Sequence, residues 1–237
     1  MEIGKAFTFV PSEDDWIKKL GIGAIIVLFT GIIPIIPAIF LVGYGIRVGK
    51  NVVRGEEHPL PEWEEWGELF MDGAVVSVAT FVYALPIVLL GLCMLILSLP
   101  ALTASWDSNE IGFSALSGAA TAGIFAMCCI FFLYLLILIA VVPALYAQYI
   151  RTEEFGPLFR VGEVLGIARD NIGDIIIVSV AAIVAALLLG LISSVLSITI
   201  CGGFIATLVG TVWINVAMGH MYGQIAAKIE SKAAYAA

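Results

Sequence analysis

The stretch GIIPIIPA (residues 31–38) decides how many times this chain crosses a membrane. It lies inside an uncharged run over residues 20–46 and places two prolines three residues apart. A proline inside a helix removes a backbone hydrogen bond, whereas a proline in the first turn of a new helix is well tolerated. The run is therefore either one tilted span or a helical hairpin whose second helix has Pro37 in its first turn.

Three further uncharged runs indicate a multipass membrane protein. They cover residues 73–106, 111–150 and 175–227, and the last has 53 residues. A spanning helix needs about 20 apolar residues, so the last run should hold two spans with a break near residues 197–203. At 61% hydrophobic and 13% charged, the 237-residue chain is too apolar for a soluble domain, and we treat it as one membrane domain.

Basic residues favour the hairpin for the first run, because cytoplasmic loops are enriched in Lys and Arg. With a hairpin, all 11 basic residues fall on one side, whereas a single span separates Lys5, Lys18 and Lys19 from the rest. We therefore expect an all-α fold with six membrane helices and both termini in the cytoplasm. The three hairpins are expected at about residues 16–53, 73–150 and 174–227, with an external loop at 100–114. The first hairpin either spans fully or is re-entrant.

The densest acidic and aromatic block is LPEWEEWGELFMDG (residues 60–73). Its Trp63, Trp66 and Phe70 recur on one helical face, which predicts an interfacial helix over residues 61–71. These three side chains are candidates for contact with lipid or with a partner. A similar amphipathic helix is predicted over residues 155–170, with its apolar stripe at Leu158, Val161, Leu165 and Ala168.

The glutamates of this block predict a contact with protein cations, because the anionic inner leaflet repels acids. The nearest cations are Arg47, Lys50 and Arg54 in RVGKNVVRG. The block is therefore either an anchor held by its own chain or a docking site for a partner. Two GxxxG pairs, Gly45 with Gly49 and Gly219 with Gly223, predict close packing between helices.

Several function classes are disfavoured by what the sequence lacks. No acidic or basic residue lies within the predicted spans except at their cytoplasmic ends, which argues against an ion-coupled pump. Enzyme motifs such as HExxH, GxSxG and the Walker loop are missing. The net charge of −8 argues against nucleic acid. We expect a non-enzymatic protein without cofactor or metal; an enzyme acting on lipid head groups would need His58, Asp170 and Asp174 to converge.

Polar residues near the cytoplasmic side leave two functions open. Asn215, His220 and Gln224 follow one another on the last span, and Gln148 ends the fourth at a similar depth. They form either a polar pocket or hydrogen bonds between helices. The second reading favours an accessory or scaffold subunit, with lipids, other membrane subunits or a second copy as partners. The first favours a carrier or channel for a neutral or lipidic substrate.

Four motifs resemble the prokaryotic membrane family catalogued as domain of unknown function 4013. They are WIKKLGIGA, GYGIRVGKNVVRGEEHPLPEWEEWGELFMDG, FRVGEVLGIARDNIGD and GHMYGQIAAK, and the likeness extends over residues 7–228. It implies a prokaryotic cell-membrane protein, and since the family has no assigned activity, no catalytic residue follows from it. The last two spans are also distantly similar to membrane domains of some glycerophosphodiester phosphodiesterases, which implies a lipid-related role.

Overall fold

The computed structural model describes residues 1–104 and 119–236, and the regular structure in these residues is helical throughout. The all-α prediction is confirmed for this part of the chain. The α-helices are α1 (Ile3–Thr8), α2 (Trp16–Thr30), α3 (Ile35–Val53), α4 (Trp66–Ala104), α5 (Ala119–Thr152), α6 (Val161–Asp170), α7 (Ile172–Leu196) and α8 (Ile200–Ala236). Beyond Ala104, the loop predicted at residues 100–114 lies outside the described residues.

Five of the described helices are long and apolar enough to cross a membrane, which makes the chain a multipass integral membrane protein. The candidate spans are Ile35–Val53, Trp66–Ile96, Phe125–Thr152, Ile172–Leu196 and Cys201–Tyr235. The sixth predicted span, α2, has only 15 residues. At about 1.5 Å per residue it is about 22 Å long, which is shorter than a hydrocarbon core of about 30 Å. Six full spans and the cytoplasmic position of both termini stay predictions.

The break in the first apolar run lies where the prolines predicted it. Helix α2 ends at Thr30 and α3 begins at Ile35, so Pro37 lies in the first turn of α3. The two helices pack against each other. How deep this pair enters the membrane stays a prediction.

The last apolar run divides into α7 and α8 at residues 197–199, within the predicted break at 197–203. Near this turn, Thr207 donates a hydrogen bond to Ser193 at 3.0 Å. At the other end of the pair, Lys228 contacts Asp174 at 2.5 Å. The two helices therefore run antiparallel along their whole length.

Glycines bring α3 and α8 into backbone contact. A Cβ added to Gly219 would fall on the carbonyl oxygen of Gly45, and one added to Gly223 would lie 2.5 Å from that of Gly49. Small residues permit such close approach between membrane helices. The packing role predicted for the two GxxxG pairs is confirmed, and the pairs pack against each other.

The chain divides into two compact units. Unit 1 comprises Met1–Ala79 and Ala140–Ala237, and unit 2 comprises Thr80–Ile139. The core of unit 1 lies among α2, α3, α8 and the segment before α4. Its buried apolar members are Phe9, Val10, Leu20, Ile26, Leu41, Tyr44, Val48, Leu60, Trp63, Leu69, Val212 and Val216. Within unit 2, Tyr134 donates its hydroxyl proton to the carbonyl of Tyr83 at 2.7 Å.

Candidate functional site

Side chains of α2 and α3 bind three successive backbone carbonyls of the anchor segment, which we define as residues 59–65. Asn51 donates to the carbonyl of Pro59 at 3.1 Å, Lys19 to that of Leu60 at 2.8 Å, and Tyr44 to that of Pro61 at 2.9 Å. Helix α4 begins only at Trp66. The interfacial helix predicted over residues 61–71 is therefore wrong for residues 61–65, because these side-chain donors hold the backbone leading into them in a non-helical conformation.

The aromatic residues of this region pack on α3. Trp63 is 6% exposed, and its ring stacks on Tyr44 with centroids 4.0 Å apart. The rings of Trp66 and Phe70 both contact Phe40, at 5.5 Å and 5.4 Å. The three predicted residues do lie on the same side, the one that faces α3. Trp63, however, is a core residue and not a head-group anchor. Trp66 is 43% exposed, and its contact with lipid or a partner stays a prediction.

The glutamates around the anchor segment find cations within the chain. The Arg47 guanidinium contacts Glu65 and lies 2.8 Å from Glu68, while Lys19 lies 2.9 Å from Glu62. The prediction that this acidic block meets protein cations is confirmed for Arg47. Because exposed ion pairs contribute about 0–1 kcal/mol each, these contacts fix the position of the segment more than they stabilise the fold.

A buried ionic cluster lies about one helical turn further along α3 and α4. The Lys50 ammonium lies 2.9 Å and 3.0 Å from the two carboxylate oxygens of Asp72, and 3.0 Å from Glu153. Tyr149 donates a hydrogen bond to Asp72 at 2.7 Å. Lys50 is 4% exposed and Asp72 is 8% exposed. Sequence analysis identified Lys50 as a cation for the acidic block, to which Asp72 belongs, but it missed Glu153 as a second partner.

Glu13 is a buried acid at the edge of the anchor segment. Its Oε1 accepts a hydrogen bond from the backbone N–H of Leu60 at 3.2 Å, and its Oε2 lies 3.8 Å from His58 Nδ1. Burial raises the pKa of this carboxyl above its ordinary value, against the opposing effects of the Leu60 hydrogen bond, Lys19 and His58. The folded protein therefore holds the Glu13 proton more tightly than the unfolded chain does.

We expect Glu13→Gln to change how stability depends on pH. A raised folded-state pKa contributes stability that is complete below the unfolded pKa and is lost as pH rises through the folded pKa. The melting temperature of the variant, relative to that of the native chain, should therefore increase as pH rises above about 4.5. Thermal melts in detergent across this range test the expectation. Glu154→Gln, at an exposed position, is the control. A difference in melting temperature between Glu13→Gln and the native chain that does not vary with pH would contradict the raised pKa of Glu13.

The four residues predicted to form one polar pocket are separated. Gln148 contacts Glu163 at 3.5 Å and lines neither of the two cavities described here. Asn215 lines a cavity of about 280 Å³ between α3, α5 and α8. His220 and Gln224 line another cavity of about 1050 Å³. The two cavities thus divide Asn215 from His220 and Gln224, and a polar pocket shared by all four residues stays a prediction.

The N-terminal segment packs on α8 beside the larger cavity. The Gln224 side-chain amide accepts from the backbone N–H of Glu2 at 2.7 Å and donates to the Glu2 carbonyl at 3.2 Å. Its Nε2 also lies 3.0 Å from Nδ1 of His220. Nearer the start of α8, the Trp213 indole N–H donates a hydrogen bond to the carbonyl of Phe7 at 3.2 Å. No periodic pattern in the sequence signals the contacts between the N-terminal segment and α8, which join residues more than 200 positions apart.

The residues of the enzyme hypothesis have other contacts. His58 lies beside Glu13, Asp174 pairs with Lys228, and Asp170 is exposed at the end of α6. In the part of the chain that the structure describes, no group of three His, Cys, Asp or Glu side chains is placed to hold a metal ion.

The second amphipathic element, predicted over residues 155–170, contains α6. Leu158 and Ala168 of the predicted stripe are buried, whereas Val161 and Leu165 are 52% and 45% exposed. Val164 is fully buried instead. The stripe is therefore wrong in part, because a 3-10 turn at Gly156–Phe159 precedes the helix and changes the phase between Leu158 and α6. The interfacial location of α6 stays a prediction.

Comparison with known proteins gives one match. A family model described as "Protein of unknown function (DUF4013)" matches residues 25–198. This range is shorter than the likeness over residues 7–228, and the first and last of the four motifs fall outside it. No curated protein and no solved structure matches the chain, and the likeness to glycerophosphodiester phosphodiesterases has no support.

Proposed function

The chain belongs to the DUF4013 family of multipass membrane proteins, and from that premise we propose that it is a non-enzymatic accessory or scaffold subunit of a larger membrane assembly. Unit 2 is the part through which it would contact other membrane helices. The proposal keeps both termini in the cytoplasm, which the distribution of Lys and Arg supports, and the short α2 supports a re-entrant first hairpin.

The main support for this proposal is the difference in burial between α3 and the two helices that enter unit 2. Half of the most apolar window of α3 is buried within the chain (50%), against 6% for α4 and 6% for α5. In unit 2, large side chains such as Phe81, Leu89, Phe125 and Leu133 are 58%, 58%, 70% and 60% exposed. Membrane helices associate by packing contacts, and these surfaces have few of them inside the chain.

Cysteines at exposed positions provide reporters for this proposal. Cys93, Cys128 and Cys129 lie in unit 2, and Cys201 lies in unit 1 at the start of α8. In native membranes, a variant that keeps only Cys128 and carries a benzophenone maleimide there should form photo-cross-linked adducts of a defined higher mass, because its helix lies against a neighbouring subunit. Mass spectrometry of the adduct would identify the neighbour.

The control variant keeps only Cys201, which is also exposed and lies in an apolar helix. It should remain a monomer under the same treatment, since the proposal assigns no partner to that position. Equal adducts from both variants would indicate collision and not a fixed neighbour. A chain that is extracted alone in mild detergent and gives no adduct from Cys93, Cys128 or Cys129 would refute the subunit role.

A further inference from the structure

The cavity of about 1050 Å³ in unit 1 lies between α1, α8, the end of α3 and residues 55–59. Its floor includes buried side chains of Phe9, Pro59 and Ile225. Its rim carries charges of both signs, contributed by Glu2, Lys5, Glu56, Glu57, Asp174 and Lys228. Pockets of about 300–1000 Å³ enclose a drug-sized ligand, so this one has room for a lipid head group and part of its chains.

A hydrogen-bond donor is available at the floor. His220 is 4% exposed and stacks on Phe9 with ring centroids 4.8 Å apart. The two bonds between Gln224 and the Glu2 backbone fix the orientation of the Gln224 amide, so its Nε2–H₂ points to His220 Nδ1. Nδ1 is then an acceptor, and the neutral ring carries its proton on Nε2. Over the described residues, this Nε2–H has no protein acceptor.

Two acids at the rim are available for a cation. Asp174 is neutralised by Lys228 at 2.5 Å, and Glu2 lies 4.0 Å from Lys5. Glu56 and Glu57 are exposed and make no ion pair with any described residue. The cavity thus offers unpaired negative charge and the weakly paired Lys5 at its rim, together with the His220 Nε2–H, which has no acceptor among the described residues.

We propose that this cavity binds a zwitterion with an ammonium and a phosphate on one short chain. The phosphate accepts a hydrogen bond from His220 Nε2–H and lies near Lys5, while the ammonium lies at Glu56 and Glu57. A simple anion would be repelled by the two glutamates, and a simple cation would accept no hydrogen bond from His220. An aminophospholipid head group and its free phosphodiester share this chemistry. The site does not depend on the subunit role.

Native mass spectrometry of the delipidated full chain tests the proposal. The probes are dioleoyl phosphatidylethanolamine, dioleoyl phosphatidylglycerol and soluble glycerophosphoethanolamine. We expect the ethanolamine lipid to bind at least about tenfold more tightly than the glycerol lipid, and His220→Phe to remove about tenfold of that affinity, as the loss of one hydrogen bond to a charged group predicts. His220→Phe keeps the ring against Phe9 and leaves Gln224 paired with Glu2.

The double variant Glu56→Gln/Glu57→Gln keeps the test decisive if His220→Phe fails to fold, because both side chains are exposed. It should abolish the preference for ethanolamine over glycerol, whereas Glu154→Gln should not. Binding of soluble glycerophosphoethanolamine that depends on these residues would assign the site to a free ligand. Binding of the lipid alone would assign it to the membrane. Equal binding of the two lipids, unaffected by either variant, would overturn the proposal.

Discussion

Gly219→Ile is expected to unfold unit 1 or to destabilise it by about 3 kcal/mol or more, at the upper end of the cost of overpacking. The new side chain would begin on the carbonyl oxygen of Gly45, and a backbone atom cannot move aside by changing rotamer. Relief requires α3 and α8 to separate, which would also open the contact between Gly223 and Gly49. Titration with sodium dodecyl sulfate in mixed micelles, followed by tryptophan fluorescence, measures the loss.

A matched control is available in α7. Gly190 is exposed, and nothing lies within 4 Å of the position that a Cβ would occupy. Gly190→Ile should be neutral or slightly stabilising, because glycine within a helix costs about 0.5–1 kcal/mol relative to alanine. Similar unfolding midpoints for Gly219→Ile and the native chain would contradict the close approach of α3 and α8.

Lys50→Met is expected to cost about 3–5 kcal/mol, because it leaves the Asp72 carboxylate buried without its cation. Asp72 would keep only the hydrogen bond from Tyr149. Met is unbranched and only one heavy atom shorter than Lys, so the effect reports mainly the missing charge and not a cavity. The same detergent titration measures it.

The double variant Lys50→Met/Asp72→Leu distinguishes loss of charge balance from loss of packing. Replacing a buried ion pair by apolar residues of similar volume is often neutral, so the double variant should recover most of the stability. Arg160→Met breaks the exposed pair with Glu163 and should cost at most about 0.5 kcal/mol. If the double variant were no more stable than Lys50→Met, the cluster would owe its effect to shape and not to charge.

Local signals in the sequence predicted the features that depend on spacing. Two prolines predicted the turn before α3, and the GxxxG pairs predicted close packing between helices without identifying α3 and α8 as partners of each other. Cations close in sequence to the acidic block predicted that Arg47 would meet its glutamates. His220 and Gln224, four residues apart on one face, do contact each other.

Contacts between distant segments could not be predicted in this way. The helical spacing of Trp63 and Trp66 suggested a helix, but Tyr44 and Lys19 hold the preceding backbone in a different conformation. Lys50 lies four residues from Arg54 in a basic stretch, yet its partners are Asp72 on α4 and Glu153 just after the end of α5. Whether α2 spans the membrane fully could not be predicted either, since charge distribution constrains the side of a membrane but not the depth of a helix.

The position of α8 has a consequence for the order of assembly during synthesis. The glycine face of α3 and the polar groups of the N-terminal segment both find their partners on α8, which is synthesised after every other described helix. Until then α3 and α1 have no permanent neighbour at these surfaces. Unit 1 is therefore completed only once α8 has been synthesised and not helix by helix, and a nascent chain stalled before α8 would present the Gly45 and Gly49 carbonyls to the insertion machinery or to lipid.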